Sequence, residues 1–116
     1  MLDKLDYIIL MVSDMRRSVE FYRDALGLTL KFESPGWAEF QTGETTLALH
    51  PAGAQAGAPG AFSLGFMVDD LEETYGVLSA RGVSFNAPPA EREGAGRLAV
   101  CADPDGHPIS LSERRR

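Results

Sequence analysis

Val12-Ser13-Asp14-Met15 and Val68-Asp69-Asp70-Leu71 are two versions of one phrase, 56 positions apart. Outward from them, Ser18 and Val19 match Thr74 and Tyr75, and Tyr22 matches Leu78. After one deletion, Gly27-Leu28-Thr29-Leu30 lines up with Gly82-Val83-Ser84-Phe85. Upstream of each aspartate lies an apolar run rich in β-formers, Tyr7 to Val12 and Phe62 to Val68. Asp14 and Asp70 sit where a carboxylate can accept from the unpaired amides of a first helical turn. Met15, Val19, Tyr22 and Leu26 then recur at helical spacing, as do Leu71, Tyr75 and Leu78. Gly27 and Gly82 follow the last periodic residue, the usual place for a left-handed helix stop. Both copies therefore read as strand, capped helix, glycine stop and strand.

Three further strands are expected in each half: Leu28–Glu33, Trp37–Gln41 and Thr45–His50, then Val83–Asn86, Arg97–Cys101 and Pro108–Ser112. The stretch Pro51 to Gly60 is made of small residues that cannot supply a core, and it reads as a flexible connector. Asn86 to Gly96, with Pro88-Pro89 and three charges, reads as an exposed loop, and Asp103-Pro104-Asp105-Gly106 as a tight turn. The expected organisation is α+β, a single domain of two βαβββ modules over 1–52 and 61–116 joined by a linker at 53–60. A sheet of four short strands with one helix buries little alone, so the modules are expected to pair.

Composition removes whole classes of function. With 116 residues, 44% hydrophobic and 24% charged, the chain has the make-up of a globular protein rather than a disordered one. Seventeen acidic and 11 basic residues give a net charge of -6, which argues against nucleic acid as a partner because phosphate binding needs a positive surface. Arg114-Arg115-Arg116 reads as a solvated tail. No apolar stretch approaches the roughly 20 residues that span a bilayer, so no membrane association is expected. No basic-then-apolar leader follows Met1, and a cytoplasmic location is expected. Cys101 is the single cysteine, so an internal disulfide and a thiolate-rich zinc site are both excluded.

Over nearly its whole length the chain resembles the vicinal oxygen chelate superfamily, which comprises glyoxalase I, bleomycin-resistance proteins and extradiol dioxygenases. The matching residues are Val12-Ser13-Asp14 with Arg17-Ser18, Phe21-Tyr22-Arg23-Asp24 and Leu26-Gly27 in the first half. In the second they are Val68-Asp69-Asp70-Leu71, Arg81-Gly82-Val83 and Asp103-Pro104-Asp105-Gly106. The resemblance implies two βαβββ modules forming a curved mixed sheet around a cleft, and a homodimer. In metal-dependent members the ion takes a His or Gln from each module's first strand and a Glu from each last strand. Carried over, those positions are Tyr7, Ser63, Ala48 and Ser110. Neutral Tyr and Ser bind divalent ions poorly and Ala cannot bind at all, so no metal site and no cofactor are expected. Met11 stands where glyoxalase I carries an anion-gripping Arg, which further disfavours that activity.

Strand alternation from these positions places Tyr7, Ile9, Met11, Ala48 and His50 on the cleft side of the first module. Ser63, Gly65, Met67 and Ser110 follow from the second. Apolar walls with a few hydroxyls and one imidazole are the usual make-up of a small-molecule site. The expected ligand-binding residues are these, without Ala48, together with Trp37, whose ring either stacks on a planar ligand or caps the core edge. His107 reads as a solvated turn residue, Cys101 as a buried small hydrophobe, and Glu33, Glu39 and Glu44 as solvated edge carboxylates.

Three functions fit these residues. The first is a metal-independent small-molecule-binding protein of the bleomycin-resistance type, holding an apolar or cationic ligand. The second is a small lyase, isomerase or dioxygenase with a non-standard metal or an acid–base pair such as Tyr7 with His50, which would need shifted pKa values. The third is a pocket retained in a regulatory or structural dimer module.

Overall fold

In the computed structural model Tyr7–Val12 forms β1, and its alternation sends Leu10 and Val12 to one side, where neither is exposed. Residues 5–52, 63–92 and 96–114 are described. The expected connector at 53–60 lies outside them. The chain divides into two compact units, Met1–Gly57 and Ala58–Arg116.

In the first unit β1 leads to α1 (Met15–Glu20), then β2 (Thr29–Ser34), β3 (Trp37–Thr42) and β4 (Thr45–Pro51). Asp14 is extended and its carboxylate accepts from the Arg17 amide at 3.1 Å, which starts the helix. The regular helix is shorter than its apolar spacing implies. From Phe21 to Ala25 the turns widen to π-helical, with the Leu26 amide donating to the Phe21 carbonyl at 3.0 Å. Tyr22 is fully buried within the widened turn, its ring 5.9 Å from that of Phe40. Gly27, at φ 77°, then reverses the chain in the left-handed region, as expected of a helix stop.

The first sheet has the order β1-β4-β3-β2, with β1 parallel to β4 and the other pairs antiparallel. One face packs on α1 and carries Leu10, Val12, Ala38, Phe40, Leu47 and Leu49, all buried. β3 and β4 are joined by a tight turn in which Gly43 takes φ 59°, and the Thr42 hydroxyl donates to the Thr45 carbonyl.

The second unit repeats the element order: β5 (Leu64–Val68), α2 (Leu71–Ala80), β6 (Phe85–Arg92), β7 (Gly96–Ala102) and β8 (Pro108–Glu113), in the sheet order β5-β8-β7-β6. Asp70 caps α2 through the Glu73 amide at 3.1 Å, and Glu113 of β8 also accepts from the Leu71 amide at 3.0 Å. Arg97 reaches both Glu72 and Glu113, tying the start of α2 to the sheet. Leu71, Leu78, Ala99, Cys101, Ile109 and Leu111 form the core.

Two expectations are corrected here. The segment read as a loop is β6 as far as Arg92, with register shifts on either side of Ala87. Pro88 and Pro89 are tolerated because β6 is the edge of its sheet and both fall in the register shift between Ala87 and Ala90, where neither is paired with β7. His107 is not a solvated turn residue but is 2% exposed. Its Nδ1 lies 2.7 Å from Asp103 Oδ2, while Oδ1 of the same carboxylate accepts from the amides of Asp105 and His107. Gly106, at φ 85°, turns the chain sharply enough to bring the two side chains together inside the turn.

Candidate functional site

The first sheet has a second face, turned away from α1, that is apolar and open. Tyr7, Ile9 and Met11 project from it with 46%, 49% and 37% exposure. Register sets Tyr7 beside Thr46, Ile9 beside Ala48 and Met11 beside His50, while β3 brings Glu39 alongside Ala48. All of these lie on one face, as strand alternation anticipates for the β1 and β4 residues.

β2 adds side chains that alternation alone misplaces. A bulge between Leu30 and Phe32 leaves Leu30 opposite the buried Phe40 but sets Phe32 opposite Glu39. Phe32 therefore joins the open face, 52% exposed, instead of following Leu30 toward the core. Lys31, the extra residue in the bulge, reaches over the same face, its Nζ 3.8 Å from Glu39 Oε1 and 3.5 Å from Thr46 Oγ1. Lys31, Phe32 and Glu39 were missed as site residues. A bulge has no signature in the residues themselves, so only the register reveals it.

Trp37 is the centre of the face. The Ser34 hydroxyl donates to the Trp37 carbonyl at 3.2 Å, closing the turn that begins β3. The indole Nε1 donates to Glu39 Oε2 at 2.7 Å, so the ring lies along its own strand instead of turning into the core. Its centroid is 6.5 Å from the Tyr7 ring and 6.3 Å from the His50 ring, the latter edge-on. The three rings thus form a row with the indole in the middle. Tyr7 pairs with Thr46 and Met11 with His50, so the indole spans the level of Ala48. Ala48 is completely covered although it faces outward, and a larger side chain there would collide with this arrangement. Glu39 is accordingly not the solvated edge carboxylate expected of it, because its two neighbours hold it against the sheet. The same geometry separates Tyr7 from His50, so the acid–base pair considered for them has no direct contact.

The second unit's open face is built from smaller parts. Gly65 is opposite Ser110, which on its other side faces Val100, and Met67 is opposite Ser112. Met67 is 60% exposed, and Ser63 is exposed just before β5. A Cβ added to Gly65 would meet nothing within 4 Å. Tyr7, Ala48, Ser63 and Ser110, the positions matching the family's metal ligands, thus offer a phenol, a methyl group and two aliphatic alcohols. That donor set does not fit a divalent ion, which needs carboxylate or imidazole. Among the described residues no group of three or more His, Cys, Asp or Glu is placed to hold a metal.

Other features belong to structure. Cys101 is fully buried, as expected, and burial, with nearby Asp103 adding to it, pushes its thiol up to about 11. A thiol so protonated is a poor nucleophile at neutral pH. An open groove of about 950 Å³ beside α1 is lined by residues including Arg16, Glu20 and Arg23. Arg16 pairs with Glu20 at 3.5 Å and Arg23 with Asp24 at 2.7 Å. No helix among the described residues is long and apolar enough to cross a membrane.

Two four-stranded mixed sheets, each with a helix on one face and an open second face, define a class that comparison makes explicit. The chain belongs to the glyoxalase/bleomycin resistance protein/dioxygenase superfamily, whose model matches residues 4–111. It is 33% identical to the uncharacterized protein YraH of Bacillus subtilis, over 93% of this chain and 96% of that one. Among solved structures it is similar to TnmS3, an antibiotic binding protein from Streptomyces sp., with a TM-score of 0.84 and 25% identity over 98% of both chains. A protein from the mobile metagenome of V. pseudocholerae matches with a TM-score of 0.79 and 28% identity, covering 100% of this chain and 98% of that one.

Proposed function

We propose that the protein binds a small apolar or cationic molecule, without a metal, on the open face of its first sheet. The observation that carries this reading is the row of Tyr7, Trp37 and His50, flanked by exposed Ile9, Met11 and Phe32. A fold that needed this surface only for packing would not leave four large apolar side chains more than a third exposed on one face. Aromatic rings held by hydrogen bonds give stacking area at little entropic cost. Met11 adds an adaptable wall. The second unit's own open face offers the hydroxyls of Ser63 and Ser110, open space at Gly65 and the flexible thioether of Met67. The likeness to a protein described as antibiotic binding supports the same class of ligand. Metal independence is supported by the chemistry of Tyr7, Ala48, Ser63 and Ser110.

The test uses the single tryptophan as reporter. Purified protein is titrated with a panel of planar aromatic compounds while Trp37 emission is followed, before and after exhaustive dialysis against EDTA, with elemental analysis of both samples. Saturable quenching in the micromolar range, about -8 kcal/mol, is expected, unchanged by EDTA. One divalent ion per chain whose removal abolishes binding would overturn the metal-free reading. Absence of any saturable quenching would overturn the binding reading itself.

A further inference from the structure

Of the residues that the register places on the first sheet's open face, Lys31 and Glu39 carry full charges, and they are held very differently. The Glu39 side chain is 21% exposed and that of Lys31 40%. Glu39 Oε2 is committed to the indole N–H at 2.7 Å. Its other oxygen, Oε1, receives no hydrogen bond among the described residues, and Lys31 Nζ stops 3.8 Å short of it. A half-buried carboxylate oxygen with unmet acceptor capacity thus sits beside the one aromatic plane that runs across the middle of the face.

We propose that Glu39 selects the ligand's charge, and that the ligand is a flat aromatic cation carrying a protonated nitrogen. This rests on the reading of the open face as the binding site. The ring stacks on Trp37, and its N–H donates to Glu39 Oε1 while the Lys31 ammonium swings aside. Three physical effects favour a cation. The indole N–H is already donated to a carboxylate, so Trp37 presents its electron-rich face, which attracts positive charge. Lys31 sits on a flexible stem in a loose, partly solvated pair, so displacing it costs little. The chain's net charge of -6 adds a long-range field of the same sign. An anion in the same place would meet the Glu39 carboxylate at contact distance, with only a part-neutralised Lys31 in return.

Three tricyclic probes of matched size separate these effects: proflavine, a cation at neutral pH, 9-anthracenemethanol, which is neutral, and anthracene-9-carboxylate. Each is titrated at pH 7.5 and low salt, with Trp37 quenching and probe anisotropy as independent signals. Proflavine is expected to bind at least tenfold more tightly than the carboxylate. E39Q keeps an amide oxygen for the indole N–H but puts an NH2 donor where Oε1 was, removing both the charge and the acceptor offered to the ligand. It should weaken proflavine about tenfold and leave 9-anthracenemethanol within twofold. K31M should tighten proflavine several-fold. Equal binding of cation and neutral probe, untouched by E39Q, would overturn the role of Glu39 while leaving the binding face intact. An equal loss of both probes in E39Q would reduce Glu39 to a support for the indole and also overturn its role in charge selection. If no probe binds wild-type protein, the binding reading fails and this inference with it.

Discussion

The helix-covered faces of the two sheets are nearly interchangeable, and the open faces are not. On the covered side each unit caps its helix with an aspartate, stops it with a left-handed glycine and packs it on branched and aromatic side chains. On the open side the first sheet carries an ordered row of rings with a carboxylate and an ammonium between them. The second carries Gly65, Ser110, Ser112, Val100 and a single prominent Met67. Packing against a helix restricts side chains to those that fill a given volume. A face without that partner is under no such constraint, and the two units differ there.

The comparison is broken most directly by truncating both sides of the first sheet. Phe40→Ala should cost about 3–5 kcal/mol of stability because it opens a cavity under α1. Trp37→Ala should cost less than half as much in the same urea titration while abolishing the rise in probe anisotropy on binding. Equal losses would make the open face a second core.

The turns sharpen the contrast between the units. Asp103→Ala removes a buried carboxylate that accepts from the Asp105 and His107 amides and lies 2.7 Å from the His107 ring, and should cost about 2–4 kcal/mol. In the first unit the corresponding tight turn has only the Thr42 hydroxyl bond to the Thr45 carbonyl beside the left-handed Gly43. Gly43→Ala, at φ 59° with open space around it, should cost about 1 kcal/mol. Both are read from urea midpoints.

Alkaline titration compared with and without Cys101 addresses the second core. The folded chain holds the Cys101 proton up to about 11, against an ordinary value of 9.0. The unfolded chain gives up that proton first, so stability is intact below pH 9 and declines as pH rises toward 11, by about 3 kcal/mol at most. Cys101→Ala should lack this component of the decline, a difference visible in urea midpoints measured from pH 8 to 11.

The smallest effect concerns two equivalent helix positions. The Thr74 hydroxyl donates to the Asp70 carbonyl at 2.9 Å, whereas the fully buried Ser18 hydroxyl has no partner among the described residues. Ser18→Ala should therefore raise stability by about 1 kcal/mol, and Thr74→Ala should leave it unchanged or slightly lower. A loss in Ser18→Ala would point to a partner such as a bound water.

How much of this was legible depended on how local the cause was. β1, both caps and both glycine stops were readable because alternation and end chemistry act within a few residues. The outward direction of Tyr7, Ile9 and Met11 followed from the same alternation. The π-helical turn was not readable, since Phe21 to Ala25 keep an ordinary helical spacing and the widening shows only in the backbone bonds. Nor was the strand through Pro88 and Pro89, because an edge position is a property of the sheet and not of the residues. His107 was misread for a related reason. Its burial comes from a carboxylate four residues earlier, folded back by a turn whose chemistry was recognised but whose interior was not. The Glu39–Trp37 bond combines a bulge, a register and a side-chain rotation, three things that no pattern of residue types encodes.

β6 closes one sheet with two adjacent prolines, and β2 ends the other with a bulge and the charges of Lys31 and Glu33. Exposed strand edges recruit like strands from other molecules, and such stacking is the first step toward fibrils. A border interrupted by prolines, or one that is kinked and charged, is a poor template for that growth. Two different devices thus guard one border of each sheet, and they make β2 and β6 poor seeds for the edge-to-edge growth that a flat, unbroken strand would allow.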